Sequence, residues 1–132
     1  MSKVRLRQEE VSPSEKEPAS LGATAPTPLR VQALIDLGIE LEELAEALAV
    51  NPATIRNWLK GSAVPRRPTV RSVDDLRRAV ILLSEAGITG EKAAQWLRSR
   101  QGGPLDNDRP LDVIREDPVR VIATIRGLVF DE

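Results

Sequence analysis

Cysteine, histidine and tyrosine are all absent from this chain of 132 residues. Without His there is no Ser-His or Cys-His nucleophile. Without Cys there are no disulfides, thiol redox chemistry or zinc fingers. The aromatics reduce to Trp58, Trp96 and Phe130, too few for a sheet that stacks RNA bases on aromatic rings. No apolar run approaches the roughly 18–20 residues of a membrane span. The first ten residues are too charged for a signal peptide. Nineteen basic residues oppose twenty acidic ones, giving a net charge of −1 that names no partner. These absences predict a cytoplasmic protein with no enzymatic activity, no cofactor and no metal.

What remains is rich in Leu, Ala, Val and Ile at helical spacing, which predicts an all-α fold. Residues 1–28 carry several prolines and little apolar pattern, and their four basic residues cancel four acidic ones. Such a segment cannot offset its chain entropy by burial, so it reads as a disordered tail. Residues 29–71 read as three helices and a basic linker. The first holds Leu29, Ala33, Leu34 and Leu37 and stops at Gly38. The second starts at Leu41, with Leu44, Ala45 and Leu48 inward. Asn51 and Pro52 predict the cap and first turn of the third, which stops at Gly61. Residues 72–132 read as a second helical region. Ser72 is expected to cap a helix ending at Gly87, with Asp74 and Asp75 in its first turn. Thr89 would cap the next, a polar loop would span 101–108, and two helices would follow Pro110 and Pro118.

Leu41 to Lys60 fits the helix-turn-helix template. Ala45 supplies the small residue where the helices cross; Leu44, Leu48, Val50, Ile55 and Trp58 supply the apolar lock. The turn position favours Gly because its φ is positive, and here it is Ala49. In such a motif the second helix enters the major groove of double-stranded DNA by its N-terminal part. Arg56 and Asn57 suit base edges: Arg for guanine O6 and N7, Asn for adenine N6 and N7. Asn51, Thr54, Lys60 and Ser62 suit phosphates, and Arg66 and Arg67 are expected to strengthen binding on all sequences. Between residues 52 and 71 five basic residues stand with no acidic one, whereas 102–132 holds seven acidic against four basic. One basic face and one acidic end suit two different partners. The triplet Asp106-Asn107-Asp108 lacks the further ligands of a calcium loop, since position twelve falls on Asp117 rather than a Glu.

The run Ala93-Ala94-Gln95-Trp96-Leu97, a polar loop with Leu105, and Arg109-Pro110-Leu111-Asp112-Val113-Ile114 precede a helix carrying Val119, Ile122 and Ile125. In this arrangement residues 93–128 resemble the toxin-binding domain of the Xre/MbcA/ParS antitoxin family, with an Xre-like helix-turn-helix before it. The resemblance implies a bacterial type II antitoxin. Its partner would be a RES-type NAD-consuming toxin, and its operon would be autorepressed. It places toxin contacts at Leu105, Arg109, Gly127, Val129, Phe130 and Asp131. The loop from Arg98 to Asp108 is longer and more acidic than the family pattern, with Gly102-Gly103 before Leu105 and Asp106-Asn107-Asp108 after it. Helix-turn-helix proteins of this size usually act as homodimers on paired half-sites. A stand-alone transcription regulator, whose C-terminal half serves dimerisation or partner contact, fits the same residues, as does a helical adaptor without DNA.

Overall fold

Proline starts and glycine stops divide the chain into helices. The computed structural model describes residues 26–130, the last two by their backbone. Seven α-helices occur among them: α1 (Thr27–Leu37), α2 (Leu41–Leu48), α3 (Pro52–Lys60), α4 (Arg67–Glu85), α5 (Glu91–Arg98), α6 (Pro110–Val113) and α7 (Pro118–Phe130). A single 3₁₀ turn spans Gly103–Leu105. Gln101 and Asp108 form an isolated antiparallel bridge, and no strand is present among the described residues. The fold is all-α.

Local chemistry explains the boundaries. A capping box opens α2: the Glu40 N–H donates to Glu43 Oε1 at 3.1 Å, and the Glu40 side chain caps in return. Ala49 ends that helix at φ 59, ψ 43, a left-handed conformation that costs a Cβ-bearing residue about 1–2 kcal/mol. Asn51 Oδ1 accepts the Ala53 N–H at 3.0 Å and caps α3. Gly61, at φ 82, closes α3, and the Ser62 N–H reaches back to the Asn57 carbonyl at 2.9 Å.

One apolar cluster runs from Val31 to Ile125 and joins every α-helix. Helix α4 is its axis and packs on α1, α2, α5 and α7. Leu34, Leu44, Ile55, Leu76, Leu83, Leu97 and Ile125 are fully buried within it. Each such side chain stabilises by roughly 1.5–3 kcal/mol relative to exposure. Trp58 is buried and Trp96 packs against the cluster, so both tryptophans are anchors. At Gly38, with φ +128, the backbone passes so close to α5 that an added Cβ would lie 3.3 Å from the Ala94 Cβ.

Three boundaries differ from expectation. Thr27 and Pro28, assigned to the tail, form the first turn of α1; residues 1–25 lie outside the described residues. Ser72 is no cap: α4 begins at Arg67, so position 72 is interior and buried. Pro68 sits in that first turn, where its missing N–H is harmless, and marks a helix start rather than a linker. Asp74 and Asp75 therefore lie two turns into α4, away from its dipole. Gly90 rather than Thr89 precedes α5.

Candidate nucleic-acid interface and partner surface

Helix α3 is amphipathic by construction. Ile55 and Trp58 pin it to α1 and α2, which leaves Asn51, Ala53, Arg56, Asn57 and Lys60 exposed and Thr54 half-buried. Of the residues assigned to DNA on α3, Asn51, Arg56, Asn57 and Lys60 are thus accessible and Thr54 only in part. Asn51 is already committed in part, since its oxygen caps the helix. The Arg56 guanidinium stands 3.9 Å from the Glu42 carboxylate of α2, both side chains being exposed. Arg66 and Arg67 are exposed at the start of α4, with Arg71 one turn further.

Lys60, Arg66, Arg67 and Arg71 make no ion pair among the described residues. The first turn of α4 contains no acidic residue, and Arg66 makes no side-chain cap. Cations at a helix N-terminus oppose the macrodipole by about 0.3–1 kcal/mol each. Arg66 and Arg67 are therefore unfavourably placed for the isolated chain, whereas Lys60, in the last turn of α3, complements that helix's dipole. An anionic partner would reverse the sign.

The second surface is built around α6. Arg109 precedes that helix and forks onto Asp112, donating from Nε at 2.9 Å and Nη2 at 3.0 Å. That pairing raises the arginine's pKa above its ordinary value. Beside it a small polar cleft between α2 and α6 is lined by Glu43, Glu46, Ala47, Leu111 and Asp112. Leu105 is a correction: it is fully buried against α7 and unable to touch a partner in this conformation. Its job is to hold the 3₁₀ turn. Gly127 is half-buried within α7. The side chains of Val129 and Phe130, and all of Asp131, lie outside the described residues.

Two arginines that the sequence did not single out organise this region. Arg98 of α5 donates to both oxygens of Glu43 (2.9 and 3.0 Å) and to the Gly38 carbonyl at 2.8 Å. Its hydrogen bonds hold the Glu43 carboxyl below the usual carboxylate value, against the desolvation that pushes it up. Arg120 of α7 donates to the carbonyls of Pro104 (2.9 Å) and Leu105 (3.1 Å) and lies 3.6 Å from Asp108. It fastens a loop in which Asp106 (φ 51) and Asn107 (φ 70) are both left-handed. Nothing in the spacing of these residues announces either contact.

The described residues thus define an all-helical protein whose distinctive surfaces are charged. Among them no group of three or more Asp and Glu could hold a metal, and no helix is long and apolar enough to cross a membrane. No family profile matches the chain, nor does any solved structure. Over 87 residues it is 31% identical to a probable mycobacterial cidal antitoxin of Mycobacterium tuberculosis, a match spanning 66% of this chain and 72% of that relative. The chain belongs to this antitoxin family.

Proposed function

We propose that the chain is the antitoxin of a bacterial type II toxin–antitoxin pair, non-catalytic and cytoplasmic. In this reading it silences its toxin by direct binding and represses its own operon through α2 and α3 acting as a helix-turn-helix. The observation that carries it is the identity to a protein named an antitoxin. The finer assignment, a RES-type NAD-consuming toxin, rests on the Trp96-Leu97 to Pro110-Leu111 pattern of residues 93–128. The toxin surface is assigned to Arg109, Gly127 and the C-terminal end with Val129, Phe130 and Asp131.

The DNA half of the proposal follows from charge and geometry. The N-terminal part of α3 enters the major groove, with Asn57 on adenine and Arg56 on guanine. Arg56 must leave Glu42 to do so. An exposed pair of that kind is worth at most about 1 kcal/mol, so release is easy. Lys60, Arg66 and Arg67 neutralise phosphates, which gives log K a slope of about −2.7 per protomer against log salt. A homodimer would place two α3 helices on half-sites roughly 34 Å apart.

Affinity purification of the tagged full chain from its native host, with mass spectrometry, tests the partner. A stoichiometric RES-domain protein is the expected result. Recovery of the chain with DNA alone would sink the antitoxin reading. It would favour the second one, a stand-alone regulator, for which the uncompensated basic arc already speaks.

A further inference from the structure

Between α3 and α4 the loop Gly61–Arg66 carries the most exposed large apolar side chain described: Val64 is 86% exposed. A lone exposed valine is ordinary. Its company is not. Lys60 precedes it, Arg66, Arg67 and Arg71 follow it, and all four are exposed and without an ion pair among the described residues.

The loop is also held at both ends. Ser62 donates to the Asn57 carbonyl from its N–H at 2.9 Å and from its Oγ at 3.3 Å. Pro65 fixes its own φ, and the Val70 N–H bonds the Arg66 carbonyl at 2.9 Å to start α4. Val64 is therefore presented on a short, anchored arch within a cationic rim.

We propose that this arch is a second DNA-reading element. Val64 seats against the minor groove beside the site read by α3, and Arg66, Arg67 and Arg71 contact the phosphates that border it. The inference rests on α3 lying in the major groove, as proposed above. Reach permits it. Four residues from Lys60 to Val64 span at most about 13–14 Å, and the half-widths of the two grooves sum to about 9 Å. The chemistry selects it too. Apolar wedges with adjacent arginines are the working parts of minor-groove binders, and narrow A·T-rich grooves concentrate the negative potential that attracts Arg. The uncompensated positive charge around Val64 matches that potential.

The test uses the full chain and the tightest duplex it selects from a random-sequence pool. Val64→Ser is expected to weaken binding about five- to tenfold, on the scale of one lost groove contact. Its melting temperature should match wild type, because Val64 has no core partner. Replacing flanking A·T pairs by G·C, which puts an amino group in the minor groove, should weaken wild type and leave Val64→Ser unchanged. Replacing them by I·C, which keeps an A·T-like minor groove, should leave wild type intact. If Val64→Ser binds as tightly as wild type while Asn57→Ala loses sequence preference, the arch reads nothing and this proposal falls alone. If wild type selects no sequence at all, the helix-turn-helix reading falls with it. Loss of a co-purified protein in Val64→Ser, with DNA affinity unchanged, would assign the arch to a protein partner and overturn the proposal.

Discussion

Replacing Arg98 by Met should remove an ionic lock between α5, α2 and the end of α1 while keeping most of the aliphatic bulk. Three charge-assisted hydrogen bonds disappear, at 2.8, 2.9 and 3.0 Å. The two side chains are 29% and 28% exposed, so water can replace part of what is lost. A fully buried pair broken on one side costs about 3–5 kcal/mol, and an exposed one at most about 1. We expect roughly 2 kcal/mol. With an unfolding entropy of about 2.1 cal/mol/K per residue over the folded part, this lowers Tm by about 9 °C. The pH dependence identifies the cause. The folded pKa of Glu43 lies below its unfolded value, so its stabilisation is fully present above the unfolded pKa. It is lost as pH falls through the folded one. The Tm gap between wild type and Arg98→Met should therefore be widest near pH 7 and narrow once the carboxylate is protonated. Thermal melts by circular dichroism at pH 7 and pH 3 measure both. A gap of the same size at both values would show that Arg98 acts by packing, and the absence of a gap at pH 7 would refute the lock.

Ala49→Gly should raise stability by about 0.5–1 kcal/mol by removing the left-handed Cβ penalty; a lower melting temperature would show that the turn is unstrained. Leu105→Ala should cost about 2–5 kcal/mol in urea unfolding, since the site is fully buried. A cost below 1 kcal/mol, on the order of a surface substitution, would return Leu105 to the partner surface. On the selected duplex, Asn57→Ala should cost about 1–3 kcal/mol and relax preference at one base. Arg66→Ala should weaken binding on all sequences, with a salt slope reduced by about 1. Equal behaviour of the two variants would argue against base readout by α3.

Most of the helices were legible because burial on one face leaves a three-to-four-residue period that survives in sequence. Leu41, Leu44, Ala45 and Leu48 are such a set, and Gly38, Gly61 and Gly87 mark stops that need a positive φ. The left-handed turn at Ala49 was foreseen from the template even though the residue disfavours it. The start of α4 was not, because Pro68 signals a linker and a first turn equally well. The same periodicity anticipated that Arg56, Asn57 and Lys60 are exposed, whereas Thr54, expected outward, is half-buried. Leu105 was misplaced because its burial depends on a loop folding back onto α7. No local pattern records that return. Arg98 and Glu43 are 55 positions apart, and only the packed core brings them together.

Helix α4 runs for 19 residues without a break, a rod of about 28 Å. For the history of such a chain this limits where halves can be exchanged. A crossover between 71 and 72 would splice two half-rods and set Ser72, Val73 and Leu76 against foreign neighbours. A crossover at the turn holding Gly87 and Gly90 would fall where the backbone already breaks. The basic arch and the whole of α4 are thus inherited with α1 to α3. A segment exchanged beyond 87 would still have to rebuild the packing of α7 on α4 and the bonds of Arg98 to Glu43 and Gly38, so the two halves are bound to change together.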